Sequence, residues 1–400
     1  MTENIEENVM KKKRLVMFQG ELDTLNLFSE QLKQGFVELG YDIFDFDLRQ
    51  SVRSLGLLHE YMQGGVVTAM IGFNSLFFGM TIPSGENMWD VLGIPCVNIL
   101  VDHPYWYHNL LMCMPAAGIV LCIDRGHMNY VNRFYPNIPS NGFLAHGGTS
   151  LCISHKLLKE RVTDVLYAGS LYADCIQQPD LSGWNFPAKQ VCDLCIEYLL
   201  VHPEETVENV IEKQLQLAGI GLSDEELRLF ISSCVSIERI VSSHYRERIV
   251  GSVARAGLSL ELYGDGWEKC DWISLPNVRY GGRVSPEKIL ERMEDSRIVL
   301  NTLPWFRDGG HERVFNAMLC GAVAVSETSR YLEEVLPPDT WASFDLSDGS
   351  ISALPGRINN LLSDENRLQQ IASAGQELAL SSHTWRARAR ELHEDLLLYL

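Results

Sequence analysis

The chain is short of positive charge. Its 400 residues carry 33 Lys and Arg against 52 Asp and Glu, a formal charge of −19. That balance argues against a nucleic-acid partner, because phosphate backbones call for a basic surface, and against a broad electrostatic dock on anionic lipid. The one basic run, residues 11–14, reads as a solvated strand entry. No apolar stretch reaches the ~18 residues needed to span a bilayer, so no transmembrane segment is expected. The opening MTENIEENVM is polar and acidic, unlike a signal peptide. Also missing are the P-loop G-x-x-x-x-G-K-[ST], the G-x-S-x-G elbow and H-E-x-x-H. The ten cysteines are scattered through apolar runs, as at Cys96, Cys122, Cys234 and Cys320. This is the usage of buried thiols in a reducing cytoplasm, not of a disulfide frame. Cys192 and Cys195 form a CxxC with no second pair at zinc spacing, and their interval suits one face of a helix. A cytoplasmic location and no metal are expected.

What is present is hydrophobic content of 46%, enough for two cores of ordinary size. Residues 14–20 read as a first strand. A helix follows with Leu25, Phe28, Leu32, Phe36 and Leu39 on one stripe, stopped by Gly40 before a second strand, YDIFDFDL. This opens a Rossmann-like sheet whose first turn lacks G-x-G-x-x-G, so no dinucleotide is indicated. The Asp45-x-Asp47 pair lies at the end of a half-buried strand and is discounted as a metal motif. Further strands are read at 67–73, 95–101 and 117–123. The 95–101 strand ends in DHPYWYH. Its aromatics could stack on sugar rings, and Asp102 or His103 could take a hydroxyl proton; the bland reading is a turn cap beside core aromatics. GFLAHGGTS (142–150) brings His146 and two glycines toward an expected cleft.

A second domain is expected from about residue 163, where VTDVLYAGS runs from a strand into Gly169 and Ser170. Residues 175–256 show helical periodicity only, with a capping box at Ser223 and Glu226, and read as an all-helical insertion that could shape an acceptor site or make a subunit contact. Residues 301–326 then read strand, polar loop, helix, strand. Ligands of open α/β sheets bind at such a loop, where free amides and the helix dipole attract an anion, above all a phosphate. His311 and Arg313 add donors there, and arginine suits forked contacts with phosphate oxygens. Residues 383–400 read as a terminal amphipathic helix.

HERVFNAMLCGAVAVSE resembles the donor-binding segment of GT-B glycosyltransferases, in particular the family typified by the spore-maturation protein CgeB. Many retaining members carry Glu-x7-Glu here; in this chain that spacing falls on Asp308 and Asn316, one a shorter acid and one an amide. The resemblance implies two Rossmann-like domains facing across a cleft. Residues 1–162 would lie on the acceptor side and 163–382 would bind the nucleotide sugar, with 383–400 returning to pack on the first domain. It implies donor contacts at Gly169, Ser170, Gly264, Trp267, Tyr280, Val284, Asp308, Gly309, Gly310, His311, Glu312, Arg313 and Asn316. Tyr280 would stack on a base, the Val284 backbone would read its edge, and Asn316 would hold a ribose. The function implied is metal-independent transfer of a sugar from a nucleoside-diphosphate donor, UDP being the commonest, to a protein, glycan or small-molecule acceptor. Asp102, His103, His311 and Arg313 are the catalytic candidates. An epimerase or hydrolase of the same fold, or an inactive nucleotide-sugar-binding scaffold, are the alternatives. Retention or inversion, the donor base, the acceptor and oligomerisation through the insertion stay open.

Overall fold

Runs such as RLVMF, VTAMIGF and RIVLN are too continuously apolar for a sheet with one wet face, and they dictate strands covered on both sides. The computed structural model describes residues 13–20, 23–151, 156–172 and 180–399. The acidic opening, residues 11 and 12 of the basic run and the first residues of the expected insertion lie outside the described residues. The first sheet comprises β1 (Arg14–Gln19), β2 (Asp42–Asp47), β3 (Val67–Phe73), β4 (Cys96–Leu100), β5 (Gly118–Cys122) and β6 (Ser140–Phe143). All its pairings are parallel, in the order β2-β1-β3-β4-β5-β6. Its covering helices are α1 (Asp23–Glu38), α2 (Ser51–Gln63), α3 (Met88–Leu92), α4 (His108–Leu111) and α5 (Arg125–Phe134). The expected stripe of α1 is its buried face, through Leu25, Phe28, Leu32 and Phe36.

A second parallel sheet begins with β7 (Thr163–Ala168). The chain then leaves it for α6 (Ala188–Leu199), α7 (Val207–Leu217), α8 (Asp224–Ser233) and α9 (Ser236–Arg255). The expected Ser223–Glu226 capping box starts α8. These helices pack on both lobes instead of projecting outward. Arg133 of α5 pairs with Glu212 and Asp224, and α9 lies buried along most of its length. The sheet resumes with β8 (Leu260–Tyr263), β9 (Val278–Tyr280), β10 (Ser296–Asn301), β11 (Val323–Glu327) and β12 (Ala342–Phe344), interspersed with α10 (Pro286–Glu294), α11 (Glu312–Leu319) and α12 (Arg330–Val335). The order is β12-β11-β10-β7-β8-β9. Strand order therefore reverses between β7 and β10, the switch point where ligands of such sheets bind.

Helices α13 (Asp348–Ser363) and α14 (Glu365–Ser382) complete the second lobe. The last helix, α15 (Trp385–Tyr399), crosses back to the first and lies along α1, with Trp385, Ala389 and Leu392 in its core. The segment after β6 meets that crossing, where the Gly148 amide donates to His383 O at 2.7 Å. The two lobes also touch directly. Asp124, after β5, forms an antiparallel bridge with Gly309, after β10, so the carboxyl ends of both sheets face each other. Among the described residues no helix is long and apolar enough to cross a membrane.

Candidate active site

At the switch point the loop after β7 is stitched to the loop after β8. The Gly169 amide donates to Tyr263 O at 2.9 Å, Asp265 N donates to Ser170 Oγ at 3.0 Å, and Trp267 Nε1 donates to Gly169 O at 2.8 Å. Gly264 is required for this contact: its φ is +118°, and a Cβ there would come 2.5 Å from the Gly169 carbonyl. Trp267, expected at the donor, is fully buried and braces Gly169 from behind.

Two guanidiniums converge on this loop from different elements. Arg313, in the first turn of α11, donates through Nη1 to Ala168 O. Arg246, from the middle of α9 and almost wholly buried, donates through Nη1 to Ser170 O and through Nε to Thr302 Oγ1 at 3.3 Å. Thr302 Oγ1 is in turn 2.8 Å from Tyr167 Oη. The two cations thus hold the carbonyls on either side of Gly169. Among the described residues neither lies within salt-bridge distance of a carboxylate, as Arg307 and Arg388 do; Arg161 also lacks one, but carbonyls cap all three of its nitrogens. Burying unpaired charge is costly, so the arrangement is suited to an anion brought in from outside.

The expected donors near α11 have more particular partners. His311 is the N-cap of α11. Its Nδ1 is 2.6 Å from Glu312 Oε2 and its Nε2 is 3.2 Å from Arg313 Nη2. Nδ1 also accepts from Arg313 N at 3.3 Å and from Arg313 Nε at 3.2 Å, so the ring caps the helix and lies along the guanidinium. Burial, then the Arg313 guanidinium, push the imidazole pKa down, so His311 is neutral at pH 7. Burial alone would raise the Glu312 carboxyl, but His311, His146 and Arg313 hold it at about 2. His311 therefore orients Arg313 and does not present a free donor. In the preceding turn, the amides of Arg307 and Asp308 both donate to Asp124 Oδ2, at 3.0 and 2.8 Å. Gly309 is closed against the other lobe; a Cβ would meet Ile123 O at 2.4 Å. The cradle expected from the whole turn loses the amides of Arg307 and Asp308 to Asp124, while those of His311 and Glu312 donate to no described residue, with Arg313 and Arg246 beside them.

Other expected contacts are engaged elsewhere. Asn316 is buried, and its Oδ1 accepts from Thr149 N at 2.7 Å, tying the interlobe segment down where a ribose contact was expected. Asp308 pairs with Arg125 at 3.3 Å. Tyr280, at the end of β9, is tethered through its hydroxyl to Gly264 O and Glu268, at 2.8 and 2.6 Å, and Val284 is half-buried beyond it.

On the opposite lobe, Asp102 Oδ2 accepts from Tyr107 Oη at 2.6 Å and from Asn74 Nδ2 at 3.1 Å. Asn74 holds a φ of +53°, one of three such residues after β3. His103 caps the next turn, its Nδ1 accepting from Tyr105 N at 3.2 Å, and its ring stacks on Tyr105. With Nδ1 so engaged and Nε2 3.6 Å from Glu208, His103 has no free lone pair for a substrate hydroxyl; of the two candidate bases, Asp102 is the one with an oxygen to spare. The buried imidazole His146 sits 5.9 Å from the His311 ring, its pKa lowered to about 4 by burial.

Next to the cradle lies a cavity of about 1130 Å³ between both lobes and the insertion. Its wall includes His103, Tyr105 and His127 from the first lobe, Glu208 and Glu238 from the insertion, and Pro304, Trp305, Arg307 and Asp308 from the second. The loop after β10 thus begins and ends at the cradle, with Thr302 and His311, and lines the cavity in between. Arg246 and Thr302 escaped the sequence reading. A single arginine among the buried residues of α9 was the available signal. Among the described residues there is no cluster of His, Cys, Asp or Glu that could hold a metal ion.

Residues 245–394 match the family model described as Glycosyl transferase-like. In structure the chain is similar to sucrose-phosphate synthase from Thermosynechococcus elongatus, with TM-score 0.56 and 12% identity over 97% of this chain and 100% of that one. It is similar to AviGT4, a glycosyltransferase involved in avilamycin A biosynthesis, with TM-score 0.51 and 12% identity over 96% of this chain and 97% of that one. The Anabaena protein HepE, solved in complex with UDP, gives TM-score 0.51 and 11% identity over 96% of this chain and 99% of that one. No curated protein matches by sequence. At such identities the likeness speaks for the fold: the chain has the GT-B architecture, and its residues 245–394 match a glycosyl transferase-like domain.

Proposed function

We propose that the protein transfers a sugar from a nucleoside-diphosphate donor, UDP-linked, to a hydroxyl acceptor, as a CgeB-like enzyme of the GT-B fold. One observation carries this reading: two guanidiniums without carboxylate partners among the described residues flank Gly169 at the switch point of the second sheet. Both lie in the segment that matches the glycosyl transferase-like family, and the HepE structure that holds UDP supports the choice of nucleotide. The acceptor oxygen bonds to C1 of the sugar as the bond from C1 to the β-phosphate oxygen breaks, and UDP leaves with the electron pair. Arg246, Arg313 and the amides of His311 and Glu312 meet the charge that develops on the diphosphate, so the residues themselves supply what a metal would. If configuration inverts, the hydroxyl proton passes to Asp102; if it is retained, the departing phosphate takes it and Asp102 orients the acceptor.

A release assay for UDP, run over a panel of UDP-sugars in EDTA, tests the proposal. Turnover is expected, with Arg313→Ala slower by about a hundredfold or more. Unchanged turnover in that variant contradicts it. The scaffold reading draws support from Asp308 and Asn316, the positions of the family's two acids, both of which serve contacts between chain segments. UDP binding without release of UDP from any donor would favour it.

A further inference from the structure

The cavity beside the cradle contains two carboxylates for which the donor has no use. Glu208, at the start of α7, and Glu238, at the start of α9, both reach it from the insertion. Among the described residues neither touches a lysine or arginine. Glu238 Oε2 accepts from Tyr105 Oη at 2.6 Å and from Trp106 Nε1 at 3.0 Å, while Glu208 has an imidazole, His103, 3.6 Å away. The arginines Arg133 and Arg307 in the same wall already have carboxylates, Glu212 with Asp224 and Glu327, while Arg307 Nε and Nη2 make no hydrogen bond among the described residues; Arg330 stands exposed at the rim. A carboxylate removed from water with no cation is expensive to keep, and burial accordingly pushes Glu238 up; at Glu208 burial is outweighed by His103, and that carboxyl is held at about 2.

A second, independent observation points to an occupant. His103 Nε2, His127 Nδ1 and Tyr130 Oη have no hydrogen-bond partner, on side chains at least nine-tenths buried, and all three residues line this cavity. Buried polar atoms of this kind are ordinarily paired. Its volume of about 1130 Å³ is slightly above the usual range of small-molecule sites.

We infer that the acceptor is an amine-bearing polyol, such as an amino sugar, whose ammonium group faces Glu208 and Glu238 and whose hydroxyls take up the free atoms of His127 and Tyr130. This rests on the transferase reading and adds the acceptor's chemical class to it. The amine serves recognition; the bond is still made by a hydroxyl, as written above. The insertion then acts as the acceptor-selecting element, since both carboxylates stand on it.

Isothermal titration tests this with two pairs of probes, the glucosamine trisaccharide and a deoxystreptamine-based trisaccharide, each against its fully N-acetylated form at pH 6.5. The rings are the same within a pair and the charge differs. UDP is titrated alone first and then kept at saturation; if it does not bind, the amine titrations are run without it, and that failure counts against the nucleotide-sugar reading only. The amine form of at least one pair should bind about tenfold tighter or more than its acetylated partner. Glu208→Gln and Glu238→Gln should each weaken the amine about tenfold while leaving the affinity for UDP unchanged. Equal affinities within both pairs, no binding of either amine, or unaltered amine binding in both folded variants overturns the inference. Should a variant fail to fold, the comparison within each pair on the wild-type protein decides.

Discussion

His311, 2.6 Å from Glu312, accepts from the amide and Nε of Arg313, which fixes the guanidinium against the Ala168 carbonyl before any ligand arrives. An arginine held in this way loses little further rotamer freedom on binding, which is the basis of preorganised affinity. Three other imidazoles carry a different cost. His127, His146 and His383 are each lowered by burial to about 4. The unfolded chain protonates these groups near pH 6.5, the folded chain only near 4, so between those values the unfolded state binds more protons. Stability is therefore fully present above about pH 6.5 and is lost as pH falls toward 4, by up to about 3 kcal/mol per histidine. Glu208 and Glu312, held at about 2, add their loss in a lower window, between 4.5 and 2. Urea midpoints measured from pH 7 to 4 should decline from about pH 6.5 downward, and His383→Phe, whose ring stacks on Phe315, should shallow the decline. Midpoints that stay flat to pH 5 would contradict this.

Helix α15 shows how closely the elements fit. Gly35 of α1 lies against it, and a Cβ there would come 2.6 Å from the Ala389 Cβ. Gly35→Ala gains up to about 1 kcal/mol of helix propensity, but the overlap should cost about 1–3 kcal/mol. The expected net result is a lower melting temperature, and a higher one would show that the two helices can part without loss. Much at this level was legible in the sequence, because it depends on period and composition. The stripe of α1, the capping box of α8 and the buried strands β7 and β10 are all local patterns; the return of residues 383–400 was instead implied by the family resemblance. The contacts that finish the site are not local. Asn316 meets Thr149, and Arg246 meets Ser170, across long sequence separations. A motif spacing shows that a side chain is polar and near a loop, but it does not show which distant carbonyl or amide that side chain will meet. For the same reason His103 read as a base from its neighbours Asp102 and Tyr105, and the fold uses it as a cap.

The lobes are coupled through Asp124, whose carboxylate takes the amides of Arg307 and Asp308 across the cleft and of Gly126 within its own lobe. Asp124→Ala leaves buried amides unpaired, which should cost about 3 kcal/mol or more and loosen the lobes. Small-angle scattering should then show a larger radius of gyration, and an unchanged radius with an unchanged melt would rule out this clamp. The insertion completes the same assembly. It supplies Arg246 to the cradle and Glu208 and Glu238 to the cavity, so one set of helices serves both halves of the cleft. What holds the functional account together is the capture of a diphosphate by Arg246 and Arg313. Calorimetric titration of UDP into the wild-type protein, Arg246→Ala and Arg313→Ala tests that capture most directly. Binding should be measurable in the wild type and weaker by about tenfold to a hundredfold in each variant. No binding to the wild type, or equal affinity in all three, would contradict it.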